Sequence, residues 1–356
     1  SEKTFRGSLD LTWNICKYLT YNLRAGGNIN LQDRDRWYNI TLYDGSMQNG
    51  YLTQTRFDRS NFTVENVFSF NYEVKDIVDI SAVAGLTYDD YSSLNTLTVG
   101  NNFQNYDFGL DGMHLAGNVE YKQPTQGDYQ LLSFLGRANL SFLNGRYLLT
   151  ASIRGDGSSK FVEGKRWAYF PAATLAWNMK QERFMADVKW LNQLKVRAGY
   201  GETGSQSIDP YSTFASYGTS FIDIPNGSTK PSQSADGSGN KIVGMVVDKL
   251  PNQDLKWERT RSYNVGLDFA FLMNRVTGSV DLYHKTTNDL LIQKELPGSS
   301  GFKYMYINQG SLRNKGIEIS LTGHIIDTKD FSWDLSGNIA FNDPKILNLG
   351  LPEQEW

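Results

Sequence analysis

Cysteine is nearly absent. The 356-residue chain holds one, Cys16, which excludes an internal disulfide framework and leaves a free thiol as the ordinary expectation. Three histidines beside that cysteine supply too few soft ligands for a zinc centre, so neither a metal site nor a cofactor is expected. No Gly-x-Ser-x-Gly, His-Glu-x-x-His or phosphate-binding loop occurs. Asp89 with Asp90, or Asp33 with Asp35, come nearest to a catalytic carboxylate pair, but they fall in polar stretches with no apolar surroundings to raise a pKa; no catalytic residues are expected. A basic excess is missing too. The balance of 35 Lys and Arg against 38 Asp and Glu gives −3, without the basic stripe that nucleic acid demands. Long hydrophobic runs are lacking as well. Nothing approaches the ~18 apolar residues of a membrane-spanning helix, and the mean hydropathy is −0.45. The opening SEKTFRGSLD has neither Met nor the apolar core of a signal peptide. It reads as a chain whose targeting segment was removed or one that starts inside a longer polypeptide.

What is abundant is aromatic and Gly: 20 Tyr, 19 Phe, 8 Trp and 33 Gly, against only 9 Pro. That composition suits strands with one apolar and one polar face, whose alternation averages to a polar hydropathy. A period of two recurs along the chain. Phe5, Leu9, Leu11 and Trp13 alternate with Arg6, Ser8, Asp10 and Thr12. Tyr263, Val265, Leu267, Phe269 and Phe271 alternate with Asn264, Gly266, Asp268 and Ala270. Ile317, Ile319 and Leu321 oppose Glu318, Ser320 and Thr322, and Trp333, Leu335, Ile339 and Phe341 oppose Asp334, Ser336 and Asn338. Similar stretches cover 62–72, 78–88, 130–142, 146–155, 170–179 and 193–201, with a weaker one at 19–31.

Each stretch runs about ten residues, the length that crosses a bilayer at barrel tilt. Trp13, Tyr72, Tyr88, Phe142, Tyr147 and Phe271 fall near their ends, as interfacial girdles require. A soluble sandwich also alternates; length and flanking aromatics favour the membrane barrel. Connections alternate as well. Asn14–Tyr18, Glu73–Asp76, Leu143–Gly145, Leu272–Asn274 and Ile326–Asp330 are short, the third with an Asn-Gly turn. Gln32–Asn61, Asp89–Tyr129, Asp156–Trp167, Glu202–Glu258 and Asn288–Ser311 are long. Short turns at the periplasmic rim and long loops outside are the outer-membrane pattern. Gln181–Trp190 is a longer turn on the short side, with room for a helical turn.

Several ordered blocks resemble TonB-linked outer-membrane proteins of the SusC/RagA type from Bacteroidota. They are Tyr147–Phe161 (YLLTASIRGDGSSKF) followed by Arg166–Pro171, Glu182–Met185 with Leu194–Gly201, Leu250–Asn252 with Leu255–Glu258 and Asn264–Asp268, Asp281–Tyr283 with Asp289–Leu291, and Asn308–Gly310 with Asn314–Glu318. The resemblance implies an all-β fold: a transmembrane antiparallel β-barrel with long extracellular loops. Residues 1–356 would be roughly fourteen strands of a barrel of about 22. The N-terminal extension, TonB box, plug domain and final strands of the family would lie outside this sequence. It further implies TonB-dependent import of oligosaccharides or peptides, with a SusD-like surface lipoprotein as lid and the TonB-ExbB-ExbD complex as motor, reached through the N-terminal part. Outer-membrane lipid surrounds such a barrel. The rival reading is a surface anchor, an adhesion or assembly barrel, or a passive porin without active transport.

Within that frame Arg154 and Arg197 should point into the lumen, since a lipid-facing arginine at mid-depth costs about 2–4 kcal/mol. There they would pair with the plug or with barrel carboxylates such as Asp268 and Glu318, or gate the substrate. Asp156–Ser159 reads as a turn, and Trp257 as an interfacial anchor or, alternatively, a sugar-stacking ring. Trp37, Tyr38, Tyr43, Tyr211, Tyr217 and Phe221 are the loop aromatics that would stack on sugar faces or hold peptide side chains, with ordinary loop packing as the alternative for each.

Overall fold

The computed structural model describes residues 1–122, 124–221 and 243–350. They divide into two compact units, Ser1–Phe70 with Val83–Phe134, and Asn71–Ala82 with Leu135–Trp356. The first six strands are β1 (Glu2–Cys16), β2 (Leu19–Tyr38), β3 (Tyr51–Val74), β4 (Val78–Phe103), β5 (Ala116–Tyr121) and β6 (Thr125–Phe142). Then follow β7 (Tyr147–Ser158), β8 (Trp167–Asn178), β9 (Leu191–Ser205), β10 (Ser216–Phe221), β11 (Val243–Lys249) and β12 (Glu258–Phe271). The last are β13 (Val276–Asn288), β14 (Leu291–Glu295), β15 (Tyr304–Asn308), β16 (Ser311–Asp327) and β17 (Ser332–Asn348).

In the first unit β1, β2, β3 and β4 are neighbours in that order, and β5 adds to β4. In the second, β7, β8, β9, β12, β13, β16 and β17 form an up-and-down series, each paired antiparallel with the next. Apart from these, β10, β11, β15 and β14 make a small four-stranded sheet. Among the described residues no helix is long and apolar enough to cross a membrane.

Register sorts the side chains. Directly opposed residues share a face, so the row Val196, Leu267, Val280, Ile319 and Ile339 lies on one side and the row Arg197, Gly266, Asp281 and Glu318 on the other. The apolar side stays bare: Val265, Leu282, Leu321 and Ile339 are each about half exposed. Burying such a side chain is worth about 1.5–3 kcal/mol, and here the bilayer supplies that burial. The apolar core sits largely at the strand ends instead. Leu52, Val99 and Phe103 are buried in the first unit, and Phe161, Phe170, Ile208, Leu255 and Trp257 in the second.

The short turns fall where alternation predicts them, at Lys17–Tyr18, 75–77, 143–146, 272–275 and 328–331. The longer 179–190 connection contains two single 3-10 turns, Met179–Gln181 and Arg183–Met185. The long loops need correction. β2, β3 and β4 have 20, 24 and 26 residues, twice the ~9–11 that span a bilayer. Most of the expected loop Gln32–Asn61 is therefore strand, leaving 39–50 between β2 and β3, and β4 runs on to Phe103. Beyond the membrane both faces meet water, so Asp33, Arg34, Asp35 and Arg36 show no apolar alternation although they are paired in ladder. The regions 206–257 and 289–310, expected as plain loops, hold the small sheet. The main sheet has thirteen described strands, in line with the roughly fourteen expected, and the four strands of the small sheet come in addition.

Candidate functional site

The polar face of the second unit is built by three rows of register. Arg197 on β9, Gly266 on β12 and Asp281 on β13 stand side by side, with Asp268 one step along. The Arg197 guanidinium donates to Asp268 through Nε at 2.9 Å and Nη2 at 2.7 Å, a bidentate fork, and reaches Asp281 at 3.0 Å. It passes over Gly266, where an added Cβ would lie 2.5 Å from Asp281 Oδ1 and 2.8 Å from the guanidinium carbon. The missing side chain is what lets one cation join carboxylates on two strands. Glu318 stands opposite Asp281 on the same face but makes no ion pair with the described residues. Further along that face Ser279 and Ser320 hydroxyls meet at 2.8 Å, Thr322 and Ser336 at 3.0 Å, and His324 Nδ1 and Asp334 at 2.6 Å. Arg154, at the outer end of β7, donates from Nε to Asp156 at 2.7 Å.

Outside the membrane the recognisable motifs converge in one packed cap. Trp257 rings Phe161 at 5.4 Å and Phe170 at 5.8 Å, and its Nε1–H donates to the Arg166 carbonyl at 2.8 Å. Only 8% of Trp257 is exposed, so it is neither an interfacial anchor nor a sugar platform; it is core. The turn expected at Asp156–Ser159 starts later: Asp156, Gly157 and Ser158 end strand β7, Asp156 and Gly157 paired with Ala168 and Trp167, and the fully buried Ser158 donates its amide to the Arg166 carbonyl. Glu202 accepts from Arg259 at 2.7 Å, from Arg261 at 3.2 Å and from the Tyr200 hydroxyl. Lys160 extends through the cap to the Ile208 carbonyl at 2.9 Å, and burial pulls its ammonium below the usual lysine range. Burial, with donation to Asp209 at 3.0 Å, pushes the Tyr306 phenol up to about 12.

The predicted ligand aromatics stand on several different elements. Trp37 is not a loop residue: it stands next to last in β2, on the strand face away from the polar Arg24 and Asn28, and meets Phe103 edge-on at 4.8 Å. Tyr38, its neighbour, also lies in strand but on the polar face, paired with Tyr51 at 5.6 Å. Tyr43 is 79% exposed at the start of the short helix Tyr43–Met47. Tyr211 has φ 62° and offers its carbonyl to Lys249 at 2.8 Å. Tyr217 and Phe221 lie on β10, and their side chains are outside the described residues. Within the first unit, Trp37 and Tyr38 take opposite faces of β2, and Tyr43 stands on the short helix that follows. Residues that sequence reasoning missed include Asp281, whose signal was its place across Gly266, and Glu202 with Arg259 and Arg261, which only strand pairing joins.

The whole pattern matches the family model described as TonB dependent receptor-like, beta-barrel, over residues 1–352. The chain is 42% identical over 220 residues to the TonB-dependent receptor SusC of Bacteroides thetaiotaomicron, covering 62% of this chain and 21% of that protein. It is 31% identical over 343 residues to the TonB-dependent receptor P39 of Formosa agariphila, covering 93% of this chain and 30% of that one. Among solved structures, the RagAB peptide transporter superposes with a TM-score of 0.80 at 24% identity, over 98% of this chain and 37% of that chain. The ferric citrate transporter FecA superposes with a TM-score of 0.60 at 11% identity, over 98% of this chain and 43% of that one. The chain spans between 21% and 33% of the length of the curated relatives it matches.

Proposed function

The chain belongs to the TonB-dependent receptor-like β-barrel family of the SusC/RagA type and is an outer-membrane protein, and from that premise we propose that it forms wall and outer loops of an energised importer. The cargo in this reading is an oligosaccharide or a peptide. A SusD-like surface lipoprotein captures it over the loops. The TonB-ExbB-ExbD complex acts on a plug inside the barrel, coupled through the N-terminal part of the parent protein. Residues 1–356 serve as one barrel segment. Arg154, Arg197, Asp268 and Glu318 face the lumen, where they meet plug or passing ligand, and Tyr38, Tyr43, Tyr211, Tyr217 and Phe221 are the contact candidates outside.

The observation that carries the reading is the two-faced wall. A polar face with Arg197 clamped between Asp268 and Asp281 stays stable only against water or polar protein, and the apolar face only against lipid. The match to the TonB-dependent receptor family over residues 1–352 supports a plugged importer over a plain pore. The wall itself performs no bond chemistry in this account.

The test uses the parent protein, tagged on the chromosome and purified from outer membranes. Uptake of labelled maltooligosaccharides and of labelled mixed peptides is measured with and without a functional TonB. The account expects uptake of at least one class that disappears without TonB, and a lipoprotein that copurifies. Uptake that persists without TonB would move the passive porin ahead, and no uptake of either class would move the anchor ahead.

A further inference from the structure

The β2–β3 ladder continues beyond the membrane in unbroken register from Asn30 opposite Arg59 to Tyr38 opposite Tyr51. An unbroken ladder keeps each side chain on the face that its parity assigns. Between those two rows, the face continuous with the membrane-level polar residues Arg24 and Asn28 carries Arg34, Arg36 and Arg59 and no carboxylate. The opposite face carries Asp33, Asp35 and Asp58 with one cation, Arg56, which pairs with Asp33 at 3.0 Å. A hairpin with water on both sides has no folding reason to segregate charge in this way.

Pairing separates these arginines from the ones below. Arg24, at membrane level on the same face, is answered by Asp10 at 2.6 Å and Glu65 at 3.6 Å. Arg34, Arg36 and Arg59 are exposed and pair with no carboxylate among the described residues. The nearest acid on that face of the neighbouring strand, Glu2, accepts from Asn30 Nδ2 at 2.7 Å. The guanidiniums of Arg34 and Arg59 instead flank one ring, Phe57, at 5.9 and 5.6 Å, which fixes them while leaving their N–H groups free. Three unanswered guanidiniums in one strip repel one another, so the arrangement gains stability only when an anion arrives.

From this geometry we infer that the polar face of the hairpin is a binding strip for an anionic oligosaccharide, one bearing uronate or sulfate groups. The inference deepens the import reading and rests on it for the claim that this face looks into the mouth. Planar guanidiniums donate bidentately to carboxylate or sulfate oxygens, with free N–H forks on Arg34, Arg36 and Arg59. Thr53 and Thr55 add hydroxyls beside the arginines, and the Tyr38–Tyr51 pair gives a stacking surface at the tip. The strip has no aliphatic recess for apolar peptide side chains, which favours a hydroxyl-rich ligand over a peptide.

The test uses the full-length parent transporter in lipid nanodiscs. Calorimetry compares a defined oligogalacturonate with its fully methyl-esterified, neutral counterpart, and hexaglutamate as the peptide arm. The charged sugar should bind roughly tenfold or more tightly than the neutral one, with a preference that shrinks as salt rises. In a variant with R34Q, R36Q and R59Q the two sugars should bind alike, and the corresponding Lys variant should keep part of the preference. Equal affinities for wild type, no binding of the charged sugar, or a preference that survives the Gln variant would overturn the inference. Hexaglutamate binding as tightly, and lost in the same variant, would overturn the sugar assignment. A charge preference in a protein whose uptake ignores TonB would sink the import reading and leave the strip standing.

Discussion

Arg197 holds two aspartates from different strands in place, and the chain makes room for it by leaving Gly266 bare. Removing the cation would leave Asp268 and Asp281 facing each other without compensation, so Arg197→Gln is expected to destabilise the folded barrel by about 1–3 kcal/mol. Gly266→Ala is expected to cost a similar ~1–3 kcal/mol, because its Cβ would overlap both partners. Urea unfolding of the parent protein in lipid vesicles reads both changes, and stability equal to wild type would contradict the clamp. On the periplasmic side Glu182 accepts from the Tyr147 hydroxyl at 2.6 Å and Trp177 Nε1 at 3.0 Å, with Arg146 at 3.6 Å. The Tyr147 hydrogen bond, foremost among these, holds its carboxyl below the ordinary value of 4.5. A carboxyl depressed in the folded state contributes stability present above its unfolded pKa and lost as pH falls through the folded one. Glu182→Gln should therefore flatten the loss of stability below about pH 4.5 and change little of the pH dependence near neutrality; an unchanged acid limb would contradict it. That Arg197 and Asp268 share the polar face of the sheet was legible from alternation alone. Asp281 was not, because it has no sequence relation to Arg197 until β9, β12 and β13 align.

Strand β12, with its alternation from Tyr263 to Phe271, was readable because lipid on one side demands apolar residues and water on the other permits polar ones. The outer halves of β2, β3 and β4 were not, since water on both sides removes the period while backbone pairing persists through Asp33–Arg56 and Trp37–Leu52. Hydrogen exchange separates the two descriptions. Amides of 33–37 and 52–56 should exchange much more slowly than those of 39–50, and equal, fast exchange across 33–56 would restore the loop. The cap motifs had a recognisable sequence but an unreadable purpose, because Phe161, Phe170 and Trp257 come from three separate segments. Their packing sets a second expectation. A Cβ on Gly204 would collide with the buried Phe170 ring, so Gly204→Ala should loosen the cap at a cost of about 1–3 kcal/mol. Faster proteolysis after Lys160 or Lys165, with the barrel wall intact, would report it, and wild-type resistance would argue against the packing.

Across the whole molecule, a polypeptide of negative mean hydropathy lives in a membrane because its apolar residues are sorted by parity rather than by run. That sorting makes the wall a partition between lipid and a wet interior, and it gives outer loops and strands a rigid base. Folding, localisation and the proposed import all depend on it. The most direct measurement is cysteine scanning along β12 in the parent protein, in a Cys16→Ser background, within outer-membrane vesicles. Cysteines at Val265 and Leu267 should react with a lipid-soluble maleimide and be spared by a charged one, and cysteines at Ser262 and Asn264 should show the reverse. Uniform labelling along the strand, or the opposite parity, would contradict the two-faced wall.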